Sequence, residues 1–161
     1  MRRLVACLVL GAAGALAWAA ASPGTLELKR PCKPNSAPGL ITTSSVRILV
    51  YCGSAKATVH LGGHTYRFSG GACYRFPNGL SVGIGKLTET ASVKPKYRAF
   101  WLSTEATKDR TIRDAVVRVQ VGGREVGSTK NTLVLKGKRS RGTFTGVFTT
   151  GGRGSGSFSC K

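Results

Sequence analysis

Hydrophobic and polar residues alternate along most of the chain after residue 45, which is the period of a β-strand with two different faces. Residues 57–61 show the alternation clearly and are followed by Gly62-Gly63, a signal for a two-residue hairpin because glycine tolerates positive φ. Folding the chain at this pair sets Leu61 opposite His64, so residues 64–68 continue the same apolar face. The pattern therefore predicts an antiparallel β-hairpin at this point.

The same pattern predicts about nine short strands, and no eleven-residue window has helical periodicity. The polar segment 104–114 has room for one helical turn. In the first strand Tyr51 shares the face of Arg47, opposite the apolar residues. Many short strands with hairpin turns favour an all-β fold, either an antiparallel β-sandwich or a partly open barrel. The predicted strands lie at 46–52, 57–61, 64–68, 80–84, 97–102, 117–121, 133–135, 144–148 and 158–160.

The N-terminal segment has the three parts of a secretory signal peptide. A basic start at 1–3 precedes an uncharged apolar run at 4–21, and small residues place the cleavage after Ala19 or Ala21. An uncleaved transmembrane anchor is the alternative. Lipidation of Cys7 is not expected, because the apolar segment lies on the wrong side of that cysteine.

A chain of 161 residues is long enough for one ordinary domain. Hydrophobic residues make up 41% of it, which is enough for a folded core. We expect a signal peptide at 1–21, an extended leader rich in Pro, Ser and Thr at 22–44, and a single β domain at 45–161. The mature chain is expected to have no transmembrane span and to be secreted or held at the outside of the cell envelope.

Four cysteines remain after removal of the signal peptide: Cys32, Cys52, Cys73 and Cys160. An even number in an exported chain predicts two disulfides, for which three pairings exist. We favour Cys32 with Cys52, which would join the leader to the first strand, and Cys73 with Cys160, which would join the end of the chain to its middle. The spacings match neither a zinc knuckle nor a thioredoxin site.

Positive charge dominates the composition, with 25 Lys and Arg against 6 Asp and Glu and a net charge of +19. Loss of Arg2 and Arg3 with the signal peptide leaves 19 − 2 = +17. A basic cluster lies between two strands at Lys136, Lys138, Arg139 and Arg141. It has two interpretations, a solvated hairpin tip or a docking site for an anionic polymer such as a phosphate-rich wall polymer, lipopolysaccharide, polysaccharide or extracellular nucleic acid.

Five aromatic residues of the predicted strands fall on inward-facing positions: Tyr66, Phe68, Phe144, Phe148 and Phe158. Modules that recognise single-stranded nucleic acid stack the bases on exposed aromatic rings. Sequence-specific nucleic-acid recognition is therefore disfavoured, and an anionic envelope polymer or polysaccharide is the expected partner.

Three patterns associated with catalysis or metal binding have a simpler interpretation. Residues 79–83 match G-x-S-x-G, but they alternate as one strand, whereas a nucleophile elbow needs a strand, a turn and a helix. His60 and His64 lie across a hairpin and so on opposite faces, which predicts no metal site. We expect His60 to face solvent and His64 to be partly buried.

The acidic residues form no catalytic constellation in the sequence. Asp109 and Asp114 lie beside Arg110 and Arg113, where local ion pairing is the expected role. A small hydrolase that uses Glu89 or Glu105 with Asp109 remains an alternative, since paired carboxylates perform acid and base catalysis. We expect no cofactor and no enzymatic activity.

A set of glycine-rich and hydrophobic motifs follows in order along the second half of the chain: Gly70-Gly71-Ala72-Cys73, the glycine-rich run 79–85, Tyr97 with Phe100, Lys108-Asp109, Val121-Gly122-Gly123, residues 132–135, residues 142–146 and Gly156-Ser157-Phe158-Ser159-Cys160. This set resembles a group of small secreted actinobacterial proteins, distantly similar to the lipoprotein-antigen family of mycobacteria, over about 90 of the roughly 140 mature residues. The resemblance implies an exported β domain with a bridge between Cys73 and Cys160 and no established catalytic activity. The chain differs in its extra pair, Cys32 and Cys52, and in lacking a usable lipoprotein cleavage box.

From these observations we expect an exported, non-enzymatic β domain that adheres to anionic polymer through distributed Lys and Arg. A structural or protein-binding surface module is the second hypothesis, and the carboxylate-pair hydrolase is the third.

Overall fold

The computed structural model describes residues 27–30, 32–34, 38–42, 45–90, 94–150 and 152–160, so the predicted signal peptide lies outside the described residues. These ranges contain strands and loops and no helix, and hence no helix that is long and apolar enough to cross a membrane. The strands are β1 (Glu27–Arg30), β2 (Gly39–Thr42), β3 (Arg47–Val50), β4 (Lys56–Leu61), β5 (His64–Ser69), β6 (Gly71–Phe76), β7 (Gly79–Thr88), β8 (Ala99–Thr104), β9 (Thr111–Arg113), β10 (Val116–Val121), β11 (Arg124–Lys136), β12 (Arg141–Phe148) and β13 (Arg153–Ser159).

Every strand pair is antiparallel, and the strands from β4 to β13 surround one interior. The order runs β7, β8, β10, β11, β12, β13, β4 and β5. β5 continues through Gly70 into β6, and β6 pairs with β7. The carbonyl of Gly70 accepts a hydrogen bond from the Gly85 N–H at this corner. The all-β antiparallel prediction is confirmed, and the pairing is that of a partly open barrel.

Aromatic and aliphatic side chains fill the interior, because alternate residues of each strand point inward. Phe100 of β8 lies between two other rings, with centroids 6.1 Å from Phe68 and 5.8 Å from Phe144. All three rings are buried, as are Val82 and Leu133. The predicted inward orientation of the phenylalanines in these strands is confirmed.

Phenylalanine and glycine face each other between β12 and β13. In the antiparallel register Phe144 is opposite Gly156, and Gly142 is opposite Phe158. A Cβ at Gly156 would lie 2.5 Å from both the Phe144 ring and the Thr58 carbonyl oxygen, closer than real contacts allow. The rings therefore occupy space that only glycine leaves open, and this fixes the register of the two strands.

The N-terminal segment covers one outer side of the barrel. β2 pairs with β3 and β3 pairs with β7, so the described part of the predicted leader belongs to the same sheet as the domain. Tyr51, expected on the face of Arg47, is only 5% exposed, because its ring lies against the backbone of Gly83. Leu87 and Ala99 complete this second, smaller core.

Both favoured disulfides are present, Cys32 with Cys52 and Cys73 with Cys160. The predicted hairpin at Gly62-Gly63 is confirmed by the pairing of Leu61 with His64. The segment 104–114 contains no helical turn and includes strand β9 instead. The prediction of about nine strands missed four short ones: β1, β2, β6 and β9.

Substitution of Gly156 by alanine should destabilise the barrel. The added methyl must displace the Phe144 ring or the β4 backbone, and overpacking of this kind costs about 1–3 kcal/mol. Gly152→Ala is the matched control, because a Cβ there meets nothing within 4 Å. Denaturant unfolding of the oxidised proteins measures both, and equal midpoints for the two variants would contradict the packing described here.

Candidate functional site

The outward residues of β4, β5, β12, β13 and the second half of β11 form a continuous surface, here called the outer face. The strands are paired side by side, so their outward side chains align. Two kinds of side chain dominate, and no carboxylate occurs at any of these positions, all of which the structure describes. The hydroxyl-bearing residues are Thr58, Thr65, Ser69, Thr132, Thr143, Thr145, Ser155, Ser157 and Ser159, and the basic residues are Lys56, Arg67, Lys130, Lys136, Arg141 and Arg153.

One row of polar side chains crosses the outer face at right angles to the strands. Arg113 is opposite Thr132, Thr132 opposite Thr145, Thr145 opposite Ser155, and Ser155 opposite His60. We call this set the hydroxyl row. Four strand-to-strand steps of about 4.8 Å give it a length of about 19 Å.

A groove of about 750 Å³ runs along the hydroxyl row. Ligand sites commonly occupy about 300–1,000 Å³, so the size fits a small ligand or a segment of a polymer. Gly62-Gly63, Leu61 and Val147 line it together with the row, and Lys130 and Arg153 add positive charge. Asp114 also lines it and is the carboxylate of this groove.

Asn131 lies in β11 between the outward residues Lys130 and Thr132, so its side chain is on the inner side of the sheet, and it is 7% exposed. Its side-chain nitrogen donates to the Ala115 carbonyl and, at 2.6 Å, to the Ser128 hydroxyl. Its Oδ1 is buried, and the described residues supply no hydrogen-bond partner for it. Exchanging the nitrogen and oxygen of the Asn131 side-chain amide would place its oxygen against the Ala115 carbonyl oxygen, and two acceptors cannot bond to each other. The Oδ1 therefore stays without a donor.

A second row across the same face carries positive charge. Lys136 is opposite Arg141, Arg141 is opposite Ser159, and Ser159 is opposite Lys56. We call these four residues the basic row. Like charges directly opposite each other on neighbouring strands destabilise a sheet. Within the described ranges the ion pairs are Arg47 with Glu89 and Arg118 with Glu125, so none compensates the basic row.

The hairpin that joins β11 to β12 is held by an acid from another loop. Lys138 and Arg139 both have positive φ, at 58° and 61°. Their backbone N–H groups donate to the Asp109 carboxylate at 2.9 Å and 2.6 Å. These bonds, first that from Arg139 and then that from Lys138, hold the pKa of Asp109 below its usual range. The local ion pair expected of Asp109 is replaced by bonds to backbone.

Arg139 differs from the other members of the predicted cluster. Its Nη1 donates to the carbonyl oxygens of Gly79 at 2.7 Å and Ala106 at 3.2 Å, with a longer contact to Phe76 at 3.4 Å. The guanidinium thus ties the hairpin to the loops after β6 and β8. Lys136, Lys138 and Arg141 are exposed, and no side-chain contact of this kind is found for them among the described residues.

The carboxylates proposed for hydrolysis do not meet in one cleft. Glu89 follows the end of β7, whereas Glu105 lies beside Gly79 at its start. The ten residues of β7 separate them by about 30 Å, so these two carboxylates cannot act as a pair. Asp109 and Glu105 line different depressions. Glu89 shares a depression with Glu125, but each pairs with an arginine, Arg47 and Arg118 respectively.

The remaining candidate residues are placed as follows. His60 is exposed and bonds to the Thr65 hydroxyl at 2.9 Å, while His64, expected to be partly buried, is also exposed because it lies at the barrel end. The G-x-S-x-G residues lie within β7, as predicted. In the described part of the chain no group of three or more His, Cys, Asp or Glu could hold a metal ion.

No family model matches the chain, and no curated protein matches it, so the mycobacterial resemblance stays a prediction. Among solved structures, the chain is similar to a redesigned β-barrel, mFAP1, bound to DFHBI. That similarity has a TM-score of 0.45 and 13% identity, and it covers 67% of this chain and 93% of the other.

The groove was missed in the sequence because its residues come from five strands far apart in the chain. Each contributes one or two polar side chains, and such residues are ordinary at solvent-facing positions. The only local signal is the run of alternating Ser and Thr in β12 and β13, which predicts a polar strand face without showing that the faces align.

The Asp109→Asn variant should lose stability at neutral pH but not in acid. The pKa of the Asp109 carboxyl is lower in the folded chain than in the unfolded chain, where it is about 3.9. Its hydrogen bonds therefore stabilise the fold at a pH above the unfolded pKa, and this stabilisation is lost as the pH falls through the folded pKa. The difference in melting temperature between wild type and variant should therefore narrow below about pH 4. Glu105→Gln, an exposed acid without such bonds, is the control. A difference for Asp109→Asn that stays constant down to about pH 2 would refute the role given to Asp109.

Proposed function

We propose that the protein is an exported, non-enzymatic β domain that adheres to anionic polymer through its outer face. The observation that carries this proposal is the basic row, in which Lys136 and Arg141 lie directly opposite each other. This arrangement costs stability and has no structural compensation among the described residues. An anionic chain laid across the strands would supply the missing negative charge.

The distribution of the acids supports the same conclusion. Glu89 and Glu125 are engaged with arginines, and Asp109 is engaged with backbone N–H groups. None of these three lies on the outer face. The basic side chains of the outer face therefore have none of these three carboxylates beside them.

Export is supported by the N-terminal pattern and by the disulfides. Residues 1–21 have the charge and hydropathy pattern of a signal peptide. Two disulfides are typical of an oxidising compartment outside the cytoplasm. A secreted or envelope-bound protein would meet anionic polymers in large amounts.

A second function, binding of another protein, is favoured by one observation. Phe76 and Val116 are 49% and 48% exposed and line the same depression, beside the turn that joins β6 to β7. Exposed apolar side chains that lie together are typical of protein contacts. Loss of a protein contact on Phe76→Ser, with polymer binding unchanged, would separate this function from the first.

The double variant Lys136→Gln/Arg141→Gln should bind polyanion with a weaker salt dependence. Each neutralised contact contributes about 0.7–0.9 to the slope of log K against log salt, so removal of two should lower it by about 1.5. The probe is immobilised dextran sulfate, measured between about 50 and 300 mM NaCl.

The matched control is Lys96→Gln/Arg124→Gln, which removes the same charges from exposed positions away from the outer face. It should keep most of the wild-type slope. Equal decreases of the slope in the two variants would mean that net charge alone drives adhesion. Binding by the wild-type protein that does not change with salt would exclude the proposed mechanism.

A further inference from the structure

We propose that the groove along the hydroxyl row binds a segment of acidic polysaccharide, a chain that carries both carboxylates and free hydroxyls. This inference rests on the proposed function, adhesion to anionic polymer, and names the chemical class and the place of binding. The groove lies on the same outer face as the basic row, about four residues further along the strands.

The hydroxyl row supplies the hydrogen bonding that a sugar chain needs. Thr132, Thr145 and Ser155 present hydroxyls from three neighbouring strands, and each hydroxyl can donate and accept. Their spacing of about 4.8 Å is fixed by the backbone ladder, so little side-chain ordering is required on binding. A ligand with hydroxyls along its length can bond to several of them at once.

Charge and apolar surface complete the fit. Arg113, Lys130 and Arg153 line the groove against the single carboxylate of Asp114, which favours an anionic ligand. Val147, which is 38% exposed, offers apolar contact to the C–H face of a sugar ring. The groove has no Phe, Tyr or Trp in its lining, so it has no surface on which nucleic-acid bases could stack.

The test is a variant that removes hydroxyls from the groove and leaves the charge unchanged. Thr145→Val/Ser155→Ala should weaken binding of polygalacturonate and alginate oligomers by roughly 10-fold, since two neutral hydrogen bonds are lost. Binding of polyphosphate should be unchanged. Both residues are outward-facing, and denaturant unfolding verifies that the variant is folded.

The same strands provide the matched control. Thr143 and Ser157 face each other two residues away on the same outer face and lie outside the groove. Thr143→Val/Ser157→Ala removes identical groups and should leave the affinity for the uronate oligomers within about twofold.

Each other outcome overturns the inference. If the wild type binds dextran sulfate but neither uronate oligomer, or if the two variants behave alike, the groove is not the sugar site and the proposed function still stands. If the groove variant weakens polyphosphate or single-stranded DNA as much as the oligomers, the hydroxyls bind any anionic chain and the site does not select sugar. If the wild type binds no polyanion at all, the proposed function itself fails.

Discussion

The contact between Phe144 and Gly156 is the constraint on which the arrangement of the other strands depends. It allows β12 and β13 to pair in one register, because a shift by one residue would bring a side chain against the ring and would send every alternating residue to the opposite face. Gly142 and Phe158 repeat the contact in the reverse sense. The same register continues into β4 and β11, so the packing of the interior determines which polar side chains align outside.

One outer side of the barrel is covered by the N-terminal segment, whereas the opposite side is exposed among the described residues. Next to β7 the N-terminal segment covers the surface, and Tyr51 is buried against Gly83. On the opposite side β4, β12 and β13 stay uncovered and carry hydroxyl and basic residues without a carboxylate. The disulfide between Cys32 and Cys52 lies on the covered side and joins the N-terminal segment to the domain. On the uncovered side the basic side chains have no carboxylate among them, and this is the surface that we assign to the polymer.

The sequence was sufficient for those features that depend on local alternation and on turns. The hairpin at Gly62-Gly63, the inward rings and both disulfides were predicted, since each follows from parity or from the order of the cysteines. β6 was missed because Gly71 to Phe76 has no clean alternation, and the burial of Tyr51 was not predicted because it depends on Gly83, which is distant in the chain. The basic cluster between β11 and β12 was predicted from the sequence. The hydrogen bonds of the Arg139 side chain were not predicted, because they are made to carbonyl oxygens of two other loops. The groove depends on the alignment of five strands, which only the folded register provides.

The assignment of the outer face is tested most directly by nuclear magnetic resonance, with the ¹⁵N-labelled protein titrated by a short uronate oligomer at low salt. The account predicts amide shift changes concentrated in β11, β12, β13 and β4, and strongest near Thr132, Thr145 and Ser155. Changes centred on β7 and β8, or spread evenly over all exposed lysines and arginines, would contradict it.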